Sequence, residues 1–360
     1  MLNPSRLLSR VFLGVVICFA GCGKPGENAR EDASNAAILA LKPQVAAAAL
    51  SVVGKTKSGS GFLCDVGGKP YVVTSESVLS EEQGFTIEGA DGTVLKPKRL
   101  FSSANTETVL VELMEQPRGV DPMQAQRLPD PGVKPGDTAV LVGMRSRGLI
   151  RAGVQMGVVS GEEIVLENMP ADVAPGSAVV HPSIGKALGV VLKREVLPEL
   201  TSNFRQDIQA LASRTQPDLY VQRLDRLQKW EPLDWTVYQQ NETALKQSMS
   251  ELNSVLIYLS GRGYGARDFL ELSTAHKRCA TALATPNLSL NDRTEAKNRL
   301  LRDLDSFLRR AENRMTGARL TWAQRSRGAR LVKLAAVGRS QLQRIQGDVS
   351  IAELFFKERR

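Results

Sequence analysis

From about Pro43 to Lys193 the apolar residues fall in short β-branched runs separated by Gly, Pro and Asp. Val72-Val73-Thr74, Val109-Leu110-Val111, Ala139-Val140-Leu141-Val142, Val154 to Val159, Ile164-Val165-Leu166 and Leu188 to Leu192 are spaced as the strands of a barrel or sandwich. Beyond a shift in composition at about Leu197 to Asp218, where Pro198 and Pro217 bracket room for one short helix, the period changes. Leu245, Met249, Leu252, Leu256 and Leu259 recur at four and three, as do Leu300 or Leu301, Leu304, Phe307 or Leu308, Ala311, Met315 and Ala318. Leu331, Ala335, Gly338, Leu342, Ile345, Val349 and Ala352 repeat that spacing, which predicts three or more antiparallel helices packed together.

The punctuation agrees with that count. Gly261-Arg262-Gly263-Tyr264-Gly265 ends one helix and Thr285-Pro286-Asn287 ends a shorter one from about Asp268. Asp292 with Glu295 reads as a capping box opening the long basic helix, and a minor break is expected near Gly317 or Gly328. Trp230-Glu231-Pro232-Leu233-Asp234-Trp235 has two readings, an aromatic recognition surface or core packing before an amphipathic helix, and packing is the more economical. The architecture expected is α+β with two domains, a β unit followed by a helical bundle or coiled-coil-like domain, and 360 residues with 42% hydrophobic content suffice for a core in each.

The first residues change the picture of where such a protein works. Arg6 and Arg10 precede an apolar block, Val11 to Ala20, of about ten residues, too short for a membrane-spanning helix and followed by Gly21-Cys22. This is an export signal. Phe19-Ala20-Gly21-Cys22 resembles the bacterial lipobox, apart from Phe19 in place of the usual aliphatic residue; an ordinary cleaved signal with Cys22 incidental is the other reading. The resemblance implies a lipid on Cys22 whose acyl chains, at about 0.8 kcal/mol per buried methylene, hold the protein on a membrane. Gly23 after the cysteine resembles the outer-membrane sorting pattern if the cell is Gram-negative. Segment 22–42 is then expected to be a polar, alanine-rich tether with at most one short helix, lifting the body off the bilayer. Once Cys18 has left with the signal and Cys22 is lipidated, Cys64 and Cys279 remain, either as two buried thiols or as one disulfide joining the domains.

The formal charge of +9 belongs to the helical half, where residues 201–360 carry 27 Lys or Arg against 17 Asp or Glu. Arg302, Arg309, Arg310, Arg314, Arg319, Arg325, Arg327 and Arg330 crowd one region. That face suits anionic lipid headgroups or an acidic envelope partner, or is merely solvated. Nucleic acid is not expected in the compartment the signal implies. His276 and Cys279 have ligand-compatible spacing but no third Cys or His nearby, so neither metal nor cofactor is expected.

Several β segments resemble, in order, the trypsin superfamily and especially its HtrA-like branch. Gly59-Ser60-Gly61-Phe62-Leu63 is similar to the strand ahead of the catalytic histidine; Val133 to Asp137 with Val142-Gly143 is similar to the entry of the second barrel; Gly153 to Ser160 is similar to the next hairpin. Pro175-Gly176-Ser177 and Gly185 to Val191 resemble the nucleophile loop and the strand after it. The resemblance covers roughly 150 residues and implies a trypsin-like double β-barrel over 43–197, a linker at 198–218 and a helical domain at 219–360, after the signal peptide at 1–21. No PDZ-like segment follows the barrel.

The chemistry implied by that resemblance needs a serine, a base, an orienting acid and amides for the oxyanion. Ser77 stands where the histidine belongs and accepts no proton near neutral pH; Glu76 beside it is a weak, differently placed substitute. Glu107 replaces the usual Asp, one methylene longer. Pro175-Gly176-Ser177-Ala178-Val179 keeps the serine of Gly-x-Ser-Gly-Gly but loses all three patterned glycines, which puts the oxyanion hole in doubt. His181 lies four residues past Ser177, about 13 Å along a strand, and cannot serve it. The expectation is a lipid-anchored envelope protein whose degenerate triad positions, Ser77, Glu107 and Ser177, leave a pseudoprotease acting as a protein-binding scaffold. The alternative is a serine endopeptidase that uses Ser177 as nucleophile with an irregular base.

Overall fold

The computed structural model describes residues 25–79, 84–128, 130, 132–145, 148–167, 169–170, 173–194, 203–212, 218–227, 229–261, 269–314 and 319–357. The export signal, Cys22, the Arg262–Gly265 break and the Met315, Gly317 and Ala318 positions lie outside them. The chain opens with α1 (Pro25–Ala40) and α2 (Pro43–Ala47), the latter started by a proline at its first helical position, where no N–H is needed. A first β unit follows: β1 (Ala49–Gly54), β2 (Ser58–Val66), β3 (Lys69–Ser75), the single turn α3 (Glu76–Leu79), β4 (Phe85–Glu88), β5 (Val94–Leu95), β6 (Pro97–Ser103) and β7 (Thr108–Leu113). After β8 (Met123–Gln124) comes a second unit of β9 (Thr138–Arg145), β10 (Gly148–Ser160), β11 (Glu163–Glu167), β12 (Ala178–His181) and β13 (Lys186–Arg194). Then come α4 (Phe204–Ala212), β14 (Asp218–Arg223), β15 (Trp230–Leu233), α5 (Trp235–Leu259), α6 (Leu270–Ala284), α7 (Leu290–Asn313), α8 (Trp322–Gly347) and α9 (Val349–Lys357).

The second unit closes into a barrel in the order β10-β11-β14-β13-β12-β9. The first runs β15-β6-β7-β3-β2-β1-β4-β5 and remains open. The two orders share a plan: β4-β1-β2-β3-β7-β6 corresponds to β12-β9-β10-β11-β14-β13, but the ladder that closes the barrel, β12 with β13, has no counterpart between β4 and β6. The free edge of β6 instead pairs with β15, Trp230 opposite Ser103 and Leu233 opposite Leu100. The double barrel expected from the sequence is thus one closed barrel and one open sheet among the described residues.

Two strands came from outside the segment read as β. β14 pairs with both β11 and β13, so the barrel needs residues 218–223, which the sequence reading gave to the linker and helical domain. Arg223 at its end is buried, ion-paired with Asp225 at 2.7 Å and donating to the Leu128 and Gly161 carbonyls, which fixes that strand end without an unpaired charge.

The apolar runs of β9, β12 and β13 are continuous because both faces of those strands are covered. Ala139 and Leu141, Val179, and Leu188 and Val191 fill the barrel interior. Their neighbours Val140, Val142 and Met144, Ala178 and Val180, and Val190 and Leu192 face outward into a core shared with Phe62, Leu63, Val72 and Val73 of the first sheet. Segment 22–42 is not the loose tether expected. Its helix α1 lies on β9 and β10, with Ala37 and Leu41 buried, and Ser34 packs so closely that a Cβ at Gly153 would stand 2.6 Å from its Cα.

The helices form a second core around Leu252, Leu256, Leu304, Leu308, Leu331 and Ala335, onto which α4 and α9 also pack. Three sequence details shift. The cap of α7 is Ser289, whose hydroxyl accepts from the Asp292 N–H, not Asp292 with Glu295. Gly328 does not break α8, which runs through it, while the repeat that seemed to continue to Ala352 is interrupted at Gly347-Asp348, and α9 starts anew. Cys64 and Cys279 are free, buried in different cores. No helix among the described residues is long and apolar enough to cross a membrane.

Gly338 sits where α8 meets α5 and α7; a Cβ there would lie 2.8 Å from Leu308 Cδ2 and 3.0 Å from Leu256 Cδ2. Gly338→Val is expected to destabilise the bundle by about 1–3 kcal/mol through overpacking, read as a lowered denaturation midpoint.

Candidate functional site: a closed seam and a buried polar junction

The residues singled out by the sequence lie where the two β units meet, and the backbone there is close-packed. Gly176 has φ +89°, a conformation that favours glycine, and a Cβ on it would overlap the Ser60 carbonyl oxygen. That oxygen accepts from Thr74 Oγ1 at 2.6 Å, the Ser60 N–H donates to the Pro175 carbonyl at 3.0 Å, and Ser60 Oγ accepts from the Met144 N–H at 3.0 Å. Linker strand β8 adds a parallel pairing to β2, and the next residue, Ala125, bridges to Ala187 of β13. The Ser60–Pro175 bond joins the two units directly through the backbone, and the linker at β8 and Ala125 pairs with both.

Ser177 lies inside this seam, 2% exposed. Its hydroxyl donates to the Ala174 carbonyl at 2.7 Å, and a Cβ at Gly143 would overlap the Ser177 hydroxyl oxygen itself. The neighbouring amides are occupied too: Ser177 N–H donates to Ala174 O and Gly176 N–H to Val191 O, at 3.2 and 2.7 Å. An oxyanion needs donors that are free to turn to it.

Ser77, on the single turn α3, is half-buried and shares a 2.8 Å hydrogen bond with Ser75 Oγ. Glu107 is buried before β7; its carbonyl accepts from the Glu76 N–H at 2.7 Å. Its carboxylate acts on Tyr220 of β14, whose phenol is pushed well above its ordinary range by burial and then by the Glu107 charge. His181, at the end of β12, stands 3.6 Å from Asp137, and His276 bonds Tyr258 Oη at 3.0 Å. No cluster of three or more His, Cys, Asp or Glu suited to a metal occurs among the described residues. Cys64 is inert to nucleophilic chemistry, its thiol pushed up to about 12 by burial and then by Asp65.

Glu76, a weak and differently placed base on the sequence alone, sits in a polar environment built by residues far along the chain. It is fully buried under the helical bundle. Oε1 accepts from Thr321 Oγ1 at 2.5 Å, and Thr321 is the N-cap of α8, whose own hydroxyl accepts from Gln324 N–H in a capping box. Gln324 reaches on to the Tyr238 carbonyl and to Glu242 Oε1, and Glu242 receives both arms of Arg327 at 2.7 and 2.5 Å. Arg327 is 4.0 Å from Glu76. Burial pushes Glu76 up to about 7, against the lowering pull of the Thr321 hydroxyl and of Arg327, with Glu242 adding to the rise. Thr321-x-x-Gln324 is a legible capping signal; the Glu242–Arg327 pairing, far apart in sequence, is not. Around this cluster Trp235 stacks on Tyr238 and meets Phe85 edge-on, which is the packing reading of that tryptophan, and Arg325 donates to the Ala104 carbonyl at 3.0 Å.

The basic crowding is largely compensated. Of its eight arginines, at least five meet carboxylates: Arg302 with Glu295, Arg309 with Asp305, Arg310 with Glu271, Arg314 with Glu251 and Arg327 with Glu242.

No protein-family profile matches the chain, and no curated protein does. Among solved structures it is similar to Rv3671c from M. tuberculosis H37Rv, a serine-to-alanine mutant in the inactive form, at 14% identity and TM-score 0.35 over 51% of this chain and 86% of that one. A second structure, Rv3671c protease in its inactive form, aligns at 16% identity and TM-score 0.33 over 42% of this chain and 82% of that one. Superpositions that loose decide nothing about the seam.

Gly176→Ala is expected to cost more than about 2 kcal/mol, from the positive φ and the overlap with Ser60 together. A chemical-denaturation midpoint close to wild type would contradict the packing described.

Proposed function

We propose that the chain is a non-catalytic, trypsin-like protein, a pseudoprotease whose β units serve as a protein-binding scaffold carrying a helical bundle. The observation that carries this reading is Ser177: its hydroxyl is spent on Ala174 inside the seam, with its neighbouring amides already bonded. A serine hydrolase needs that oxygen exposed, a base within hydrogen-bond reach and donors for the oxyanion. Ser77 supplies no base, and both histidines are engaged elsewhere. The shared strand order of the two β units supports a duplicated, protease-like ancestry.

In this reading the protein is exported and anchored through lipid on Cys22, and its partner is another envelope protein. The residues from Cys22 to the start of α1 at Pro25 reach at most about 10 Å when extended. A lipid there would hold the folded body against the bilayer instead of on a long tether.

Two measurements test the reading. Fluorophosphonate labelling of the purified protein, beside Ser177→Ala, is expected to give no Ser177-dependent signal; such a signal, or turnover of a peptide library, would establish the serine endopeptidase instead. Cys22→Ser is expected to move the protein from the detergent phase to the aqueous phase on partitioning, with globomycin causing the unprocessed form to accumulate. An unchanged distribution would remove the anchor from the proposal.

A further inference from the structure

The polar cluster between the β unit and the bundle has a charge problem that its geometry poses openly. Two carboxylates, Glu76 and Glu242, and one guanidinium, Arg327, share a buried site; Glu76 and Glu242 are both nearly inaccessible. Arg327 is committed to Glu242 through two short bonds, and those bonds outweigh the burial that would otherwise lower its proton affinity. The cation nearest Glu76 among the described residues is therefore a guanidinium 4.0 Å away that another acid already holds, while Oε1 accepts from the Thr321 hydroxyl and Oε2 is buried with no side-chain hydrogen-bond partner among the described residues. With Glu76 ionised the cluster has one uncompensated negative charge in a site without water-like screening; with Glu76 protonated it is neutral.

The same carboxyl group joins two separately cored bodies. Glu76 belongs to the β unit, and everything that faces it across the junction belongs to the bundle: Tyr238 and Glu242 from α5, and Thr321, Gln324, Arg327 and the first-turn Ala323 N–H from α8. From its own side, the neighbours are the Glu107 carbonyl and the uncharged Ser75 and Ser77. We propose that Glu76, Glu242 and Arg327 form a proton-operated latch that holds the helical bundle on the β unit at mildly acidic pH and weakens as the pH rises.

The direction follows from where the proton is bound more tightly. Docked, Glu76 titrates at about 7, above its ordinary value of 4.5, so the docked state binds more protons between those limits. Docking is therefore fully favoured below about 4.5 and loses stability as pH climbs to about 7. At tenfold per pH unit the docking constant changes by at most about 300-fold over that window. The helix N-terminus of α8 and the Thr321 hydroxyl partly oppose the effect, since both favour the anion. The latch does not rest on the protease-like reading and holds whether or not Ser177 reacts.

The three tryptophans of the chain make the test direct, because all lie on elements at this junction: Trp230 on β15, Trp235 against Phe85 and Tyr238, and Trp322 as the first residue of α8. The Glu76→Gln variant separates a transition caused by this carboxyl group from one caused by any other titrating group. For the full chain in detergent micelles, the emission is expected to shift to the red as the pH rises from about 4.5 to about 7, with the midpoint inside that window and no further change above it. Glu76→Gln is expected to hold the blue-shifted emission throughout. A flat wild-type profile overturns the latch, as does a transition that persists unchanged in Glu76→Gln. If circular dichroism shows Glu76→Gln unfolded, Glu242→Gln serves in its place. It releases Arg327 to Glu76 and is expected to lower the midpoint by at least about one pH unit, roughly a tenfold change in proton affinity; an unmoved midpoint overturns the proposal.

Discussion

The arrangement of the β units depends on one close approach, the backbone of Gly176 laid directly on the carbonyl of Ser60. Side chains are excluded from that contact, so the strands on either side come near enough for Ser60 to bond across it to Pro175 and Met144. The outward faces of β9, β12 and β13 then have an apolar surface to pack on instead of solvent. Ser177 is drawn in as a structural hydroxyl, and its bond to Ala174 satisfies a group that burial would otherwise leave unpaired.

Much of the architecture was legible because its signals are local. The β-branched runs, the helical period around Leu252, Leu304 and Leu331, and the breaks at Gly261 and Thr285 each report on their own segment. What escaped was non-local. β14 and β15 are short, and their assignment depends on partners far away in sequence, so Asp218–Arg223 read as linker although it completes the barrel. Nothing in the run at Val140 to Val142 says that both of its faces are covered. The absence of a histidine at Ser77 was visible at once, whereas the burial of Ser177 required knowing what lies beside Gly143. Glu76 is the sharpest case: judged as a substitute base, it turned out to be oriented away from any such role, toward the first turn of a helix 245 positions later.

The bundle carries most of the positive charge, and several of its arginines are held in ion pairs. Arg310, Arg314, Glu251 and Glu271 join α5, α6 and α7 through ion pairs that are mostly half-exposed, each of which contributes at most about 1 kcal/mol but together set how the helices face one another. A sequence count of arginines overstates the field of such a surface, because some compensating acids lie along the same helix, as Asp305 does for Arg309, and others on neighbouring helices, as Glu251 does for Arg314.

The pairing of β15 with β6 also dictates an order of events. β6 is complete at Ser103, but the strand that covers its edge begins only at Trp230, after every strand of the closed barrel has been made. A chain emerging from its N-terminus therefore carries an uncovered ladder of N–H and C=O groups through about a third of its synthesis, the kind of edge that recruits other strands. The first β unit, though earliest in sequence, is the last to be finished, and its completion delivers the polypeptide directly into Asp234, the cap of α5.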